Sequence, residues 1–452
     1  MRDTSRDVVP LRTAVRVWAL VGLQSFGGPA GQIAVMQRTL VDERRWISRG
    51  RFLHALNFCT LLPGPEATQL AVYVGWLLNG FVGGLVAGVL FVLPGVVAMF
   101  VLTAIYVAFG TTTAVAAVFA GIAPAVLVIV AQAVVRLGRR ALNRPPLVAI
   151  AVVAFISLAV FAVPFPLVVL GAGVVGWLLG RWRPGSMTPD TADETGPTPL
   201  IADDALHHER PTIRRTGLVL LVGLVTWWLP VAVVVALTGR DSTLSTQGLF
   251  FSGAAVVTFG GAYAVLAYVA QRAVETYGWL APGEMVRGLG LAETTPGPLI
   301  MVLQFVGFLG AYRNPGSLDP WVAGTIGALL TTWVTFVPAF LLVFLGAPYV
   351  ERLRHNRTVA DALAGVTAAV VGVIANLAVY FATHTLFDDL HRLSWGPVQP
   401  EVADPTTLRP LAVVIGLVAA VMLFKLRWSV LRTLGVCALL GIAAALVGLP
   451  LT

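Results

Sequence analysis

Charge is scarce in this chain. Only 12% of its 452 residues are Asp, Glu, Lys or Arg, against roughly 25% in a soluble domain. From Phe52 to Val135 the one formal charge is Glu66, and His54 is the one other imidazole or acid. That run is long enough for about three bilayer crossings at ~20 residues each. With a mean hydropathy of +0.85, a soluble core is excluded and the lipid bilayer is the expected surroundings. Cysteine is nearly absent: Cys59 and Cys437 lie inside apolar runs and read as small buried hydrophobes, not a disulfide framework. Histidines are scattered apart from His207-His208, so no metal cluster is expected. No P-loop occurs, which argues against ATP-driven pumping. No nucleophile stands beside a base, and the clustered carboxylates of a lipid-linked transferase are missing. A non-enzyme without cofactor is expected. Lysine is limited to Lys425. The net charge of +8 comes from arginines in short loops between apolar runs, which reads as membrane orientation and not nucleic-acid binding. The charged first twelve residues, with Pro10, do not form a cleavable signal sequence.

What is present is a repeat. Ser25-Phe26-Gly27-Gly28 through Ile33 returns 233 residues later as Thr258-Phe259-Gly260-Gly261 through Leu266. At the same offset Trp46 meets Trp279, and Pro63-Gly64-Pro65 meets Pro296-Gly297-Pro298. After an eleven-residue insertion near Asn314–Gly324, Pro94 meets Pro338, Gly121 meets Gly365 and Gln132 meets Asn376, all at an offset of 244. The chain is two copies of one unit, and a duplicated polytopic unit points first to a transporter.

Thirteen apolar segments, grouped six, one and six, set the expected organisation. Residues 1–180 form the first copy, 181–215 a polar proline-rich cytoplasmic linker, 216–238 a connecting transmembrane helix and 239–452 the second copy. Six crossings and one more invert the second copy relative to the first. With a cytoplasmic amino terminus, Arg136–Arg144, the linker arginines, Arg352–Arg357 and Lys425–Arg427 all fall inside. The arginine-rich loop 37–51 falls outside on that count. A re-entrant 13–36 with a hairpin at 53–80 would bring it inside and keep the inversion.

Gly27-Gly28-Pro29 should break a membrane helix, since glycine is permissive and proline cannot donate to the ladder. Broken backbone at membrane depth is tolerated only against protein or a water-filled cavity. Close helix packing by small residues is the competing explanation. Pro63-Gly64-Pro65 must unwind as well, because residues before proline avoid the α region. The helix that follows would offer free amides and a positive dipole end, a site for an anion. Thr294 and Thr295 add hydroxyls before the second Pro-Gly-Pro. Gln24, Gln32, Gln69 and Gln304 are neutral donors suited to an oxyanion. Glu66 and Glu293 flank the two turns without corresponding to one another. They are the proton-coupling candidates, with dipole capping the plainer role for Glu66. Arg44, Arg45 and Arg272 could attract an anion to the mouth, or serve only as loop charges.

The FGG…Q signature, the basic loop with Trp46 and LLPGPEATQLAVYVGW resemble the chromate ion transporter family, in its long-chain two-domain form. The resemblance covers about 11–180 and 246–448. It implies export of chromate across the bacterial inner membrane by a secondary transporter with inverted halves. Carried over by motif, Gly27, Gly28, Pro63, Gly64, Pro65, Glu66, Gln69, Gly260, Gly261, Pro296, Gly297 and Pro298 are the expected site, joined by Ser25, Gln32, Thr258 and Gln304. Pro29 becomes Ala262 in the second copy, and Glu66-Ala67-Thr68-Gln69 becomes Leu299-Ile300-Met301-Val302. A symmetric site is therefore not expected. The alternative is uptake of sulfate or another oxyanion, which growth on chromate separates by sensitivity in place of resistance. Coupling stoichiometry stays open, as does the choice between monomer and homodimer.

Overall fold

Each apolar run is helical, as so uncharged a chain requires. In hydrocarbon every peptide N–H and C=O needs a partner, and an α-helix supplies them within one segment. The computed structural model describes residues 8–183, 201, 212–259, 262–349, 357–392 and 401–449. Its helices are α1 (Leu11–Gln24), α2 (Gly28–Gln37), α3 (Arg49–Leu61), α4 (Glu66–Phe109), α5 (Thr113–Ala141), α6 (Pro145–Ala159), α7 (Phe165–Trp182) and α8 (Ile213–Thr238). There follow α9 (Thr243–Val256), α10 (Ala262–Gln271), α11 (Glu284–Thr294), α12 (Val302–Arg313), α13 (Pro320–Gly346), α14 (Arg357–Leu386), α15 (Pro410–Ala420) and α16 (Val430–Leu446). A small antiparallel ribbon, β1 (Leu390–Arg392) with β2 (Glu401–Ala403), lies between α14 and α15. The expected linker falls mostly outside the described residues.

The element order repeats around α8. Both α2 and α10 end in a π turn, Arg38–Glu43 and Arg272–Thr276. Each π turn closes the same way: Trp46 N–H donates to Leu40 O and Trp279 N–H to Ala273 O, both at 2.8 Å.

Six described helices are long and apolar enough to cross a membrane: α4, α5, α7, α8, α13 with its extension, and α14. The chain is an all-α polytopic membrane protein. Several of the thirteen apolar segments are broken inside the run. Segment 13–36 is split into α1 and α2 at Gly27 and Gly28, whose φ values are 80° and 71°. Segment 53–80 is a hairpin: α3 descends to Pro63–Pro65 and the first part of α4 returns, bringing the Phe58 and Tyr73 rings to 5.1 Å. The chain then turns again at Asn79 and Gly80, where α4 loses helical geometry (Gly80 φ 59°). Beyond that turn the helix packs antiparallel on the part before it. A Cβ on Gly84 would come 2.9 Å from Val72 O, so the two strokes touch backbone to backbone. Segments 246–270 and 286–311 are likewise divided, into α9 and α10 and into α11 and α12. Gly27-Gly28 breaks the first of these runs and Pro-Gly-Pro the second and fourth, and hydropathy alone counts each broken pair as one span.

The helices gather into two compact units. Unit 1 is Met1–Phe100, Asp190–Ala262 and Thr295–Asn356; unit 2 is Val101–Pro189, Tyr263–Thr294 and Arg357–Thr452. Each draws on both sequence copies. In unit 2, small residues let helices meet closely: Gly176 of α7 against Gly365 of α14, and Gly121 of α5 against the Cys437 backbone of α16. In unit 1, α8 leaves Leu218, Leu221, Val222 and Leu229 exposed, a lipid-facing surface. It is anchored by Trp333 Nε1 donating to Thr226 O at 2.8 Å.

Candidate functional site in unit 1

The two Pro-Gly-Pro turns are tips of chain inside unit 1, and each is held by the other copy. Gly64 takes φ 132°, a backbone conformation that L side chains rarely adopt, and its N–H donates to Thr258 O at 2.7 Å. Gly297 takes φ 96° and its N–H donates to Ser25 O at 2.8 Å. Ser25 and Thr258 are repeat counterparts, so the two bonds are one contact made twice. The packing partners match too. A Cβ on Gly64 would lie 3.2 Å from Ala339 Cβ, and one on Gly297 would lie 3.1 Å from Gly95 Cα. Gly95 and Ala339 are counterparts at the offset of 244. Ser25 and Thr258 can offer their carbonyls because both stand at a helix break. Their hydroxyls turn back onto Val21 O and Ala254 O, each at 2.6 Å.

This clasp changes the expected chemistry. The glycine amides are not free for an anion: unwound backbone inside a membrane needs internal partners, and the opposite copy supplies them. The glutamine amides are also engaged. Gln32 donates to Gly297 O at 2.7 Å, and Gln69 to Pro63 O at 2.8 Å. Gln304 donates to Val96 O at 3.0 Å. Gln24, exposed, accepts from Arg38 at 3.4 Å. Copy 1 thus pins both turns with its own glutamines, where copy 2 has Val265 and Val302. Replacing Gln32 by Leu strands a buried carbonyl, so thermal unfolding of the variant should show a loss of about 1–3 kcal/mol. An unchanged unfolding temperature would contradict this.

One donor at the first tip remains unspent. The hydroxyl of Thr68, fully buried in the first turn of α4, has no partner. Oxygen Oε1 of Gln69, equally buried, has none either. The leading amides of a helix have no carbonyl one turn back. Glu66, only partly buried, begins the helix and favours its dipole. Sequence reasoning passed over Thr68 as one of four departures from copy 2. Its replacement there by Met301 was the available signal.

The remaining expected residues fall as follows. Thr295 is buried and Pro296 half-buried at the second tip, followed by Pro298 and a short 3-10 turn, Leu299–Met301. That irregular start makes the second tip a poorer helix terminus than the first. Thr294, in unit 2, spends its hydroxyl on Leu291 O at 2.8 Å. Glu293, also in unit 2 and 1% exposed, accepts from the Tyr263 hydroxyl at 2.6 Å. Arg44 and Arg45 are exposed, Arg44 lying 5.9 Å from the Trp46 ring centroid. Arg272 is exposed and bonded to Thr276 at 3.2 Å. Gly260 and Gly261 lie outside the described residues. Unit 2 has a separate cleft of about 190 Å³ with Gln271, Glu275, Asn376 and Tyr380 on its wall.

Known proteins match this chain over the parts that build that site. The chromate transporter family model matches residues 13–177 and 246–448. A chromate transport protein of Pseudomonas aeruginosa is 33% identical over 360 residues, covering 78% of this chain and 76% of its own. A chromate transport protein of Cupriavidus metallidurans is 28% identical and covers 84% of each chain. A probable chromate transport protein of Synechococcus elongatus is 28% identical, covering 84% of this chain and 86% of its own. No solved structure matches. With both repeats matched and the paired glycine turns in place, the chain belongs to the chromate transporter family.

Proposed function

We propose that the protein is a secondary transporter that exports chromate, with sulfate as the competing guest, and that it binds the dianion at the tip formed by Pro63–Pro65 and the start of α4. The observation that carries this is the reciprocal clasp, Gly64 to Thr258 and Gly297 to Ser25. It holds two backbone breaks rigidly inside an apolar unit, leaving the α4 amino end and the Thr68 hydroxyl for a ligand. Such discontinuous elements are where secondary transporters place their substrates.

The hairpin geometry supports an inverted arrangement. With 13–36 and 53–80 both re-entrant, the first copy crosses four times: by residues 81–109, α5, α6 and α7. Helix α8 adds one crossing and turns the second copy over. On this path the basic segments 38–51, 136–144, 181–215, 352–357 and 425–427 all lie on one side. The positive-inside rule makes that side cytoplasmic; the bacterial inner membrane is the location that the family resemblance implies. The loop that contradicted a simple count is then in its expected place.

The membrane potential suffices to drive export. A dianion leaving a negative interior gains about 4.6 kcal/mol per 100 mV, twice the single-charge value. Glu66 and Glu293 are the positions through which protons could add to this. In everted vesicles, chromate uptake should rise with an interior-positive potential and fall several-fold when the potential is collapsed. Uptake unaffected by the collapse would overturn the driving force. Loss of chromate resistance on expression would overturn the direction.

A further inference from the structure

The cleft of about 190 Å³ in unit 2 has a polar wall on which no Arg, Lys or His stands. One side is α10 with its π turn, through Ala267, Gln271 and Glu275. The facing side is α14, through Asn376, Tyr380 and Thr383, and Ala162 of the α6–α7 turn completes the wall. Gln271 donates to Glu275 at 3.4 Å. The Asn376 amide makes no hydrogen bond among the described residues. A polar space of this size takes several waters. At the repeat offsets Gln271, Tyr380 and Thr383 correspond to Arg38, Arg136 and Arg139. Copy 2 thus has neutral groups where copy 1 has arginines, and Glu275 is the one formal charge on the wall.

The open strip on α10 runs deeper than the cleft. Residues 263, 267, 271 and 275 recur every fourth position and share one helix face. Ala262, Ala264, Val265 and Leu266 are buried, yet Tyr263 and Ala267 keep part of their surface open. Tyr263 stands about 12 Å along the helix from Gln271. Its hydroxyl donates to Glu293 at 2.6 Å. Glu293 is 1% exposed, near the end of α11. Of the groups around it, Arg136 of α5 is close enough to act on its charge. Helix α16, also packed on α11, brings only Arg432, exposed, and Cys437, buried. On α11 itself Glu284 and Arg287 lie toward the opposite end, joined through the Tyr106 hydroxyl. An acid kept at membrane depth is costly and marks function, proton relay above all.

We propose that the cleft is a water-filled half-channel from the extracytoplasmic side, through which a proton that drives export reaches the Glu293 carboxylate, with Tyr263 positioning that carboxylate. This rests on the export reading, whose path puts the α6–α7 turn, the π turn at Arg272–Thr276 and the end of α14 on that side. A hydronium ion in the cleft gives its proton to a Glu293 oxygen and leaves water. Release toward the cytoplasm restores the carboxylate. Chain continuity ties the step to the clasp: Tyr263 follows Thr258 by five residues, and Glu293 precedes Gly297 by four. Glu66, at the start of α4 and only partly buried, keeps its plainer role at the helix dipole.

The test uses the full chain in everted vesicles, whose lumen is the extracytoplasmic side. The potential is clamped at zero, and the bulk pH is fixed so that chromate meets the loading face in one ionic form. Acidifying the lumen should then raise the initial rate of chromate uptake several-fold. Glu293→Gln should abolish this acceleration and keep uptake driven by the potential, since the amide oxygen can still accept from Tyr263. Tyr263→Phe should shift the luminal pH of half-maximal acceleration at unchanged chromate affinity; an unshifted profile would strike Tyr263 from the site. Ala267→Cys should react with a membrane-impermeant thiol reagent in intact cells, Cys59 and Cys437 being buried. In vesicles made from those cells, the bulky adduct should remove the acceleration and leave potential-driven uptake. No acceleration in the unaltered protein would overturn the proposal while potential-driven export stands. So would an acceleration that survives Glu293→Gln, or one that Glu66→Gln alone removes. An adduct that stops both modes of uptake would make the cleft the chromate path and overturn the proton route. No chromate uptake in either mode would sink the export reading itself, and this proposal with it.

Discussion

Gly297→Ala should abolish transport and lower the yield of folded protein, with a larger effect than Gly64→Ala. Both glycines hold backbone conformations that L side chains rarely adopt, at φ 96° and 132°. That strain alone costs about 1–3 kcal/mol at either site. The surroundings then separate them. A methyl group on Gly297 meets the Gly95 backbone, at 3.1 Å from Cα and 3.2 Å from N. Backbone inside a packed helix cannot move aside. A methyl group on Gly64 meets the Ala339 methyl at 3.2 Å and the end of the Gln69 side chain at 2.8 Å. The glutamine can swing away, at the expense of its bond to Pro63 O. Unfolding temperature and chromate uptake, measured together in liposomes, check the order. Equal tolerance of both substitutions would show that the clasp is not structural.

Thr68→Val should act in the opposite manner, leaving the fold intact and removing function. The hydroxyl is buried and unpartnered. Its isosteric replacement by a methyl group therefore breaks no internal bond and should hold or raise the unfolding temperature. If the hydroxyl serves a bound oxyanion, a charge-assisted hydrogen bond of about 1.5–3 kcal/mol is lost. At 1.4 kcal/mol per decade, chromate affinity should then fall about 10- to 100-fold. Thr68→Ser should keep native affinity. A purely structural role would give the reverse, with stability lost and affinity kept.

Much of this organisation was legible in the residues, though not all of it. The breaks at Gly27-Gly28 and at both Pro-Gly-Pro turns followed from backbone chemistry that no packing can override. The repeat followed from identities at constant offset. The count of crossings did not follow, because a half-membrane hairpin such as α3 with the start of α4 has the same composition as a full span. The arginine-rich loop 37–51 carried the hint, since it agreed with the other loops only if 13–36 and 53–80 both turned back. The clasp was illegible for another reason. It is made by main-chain groups of Gly64, Thr258, Gly297 and Ser25, and pattern reasoning about side chains assigned those amides to the ligand. The three glutamines misled in the same way, having been read as donors to a guest when they hold Pro63, Gly297 and Val96 carbonyls. Thr68 was noted only as a departure from copy 2, because threonine is ordinary in a helix. Only the absence of a partner sets it apart.

The most direct test is an anomalous difference map at the chromium edge from crystals grown with chromate. A peak within hydrogen-bond reach of the Thr68 hydroxyl, at the amino end of α4, is the expected result. A chromium peak in unit 2, with the Pro63–Pro65 turn bare, would contradict the assignment of the anion site.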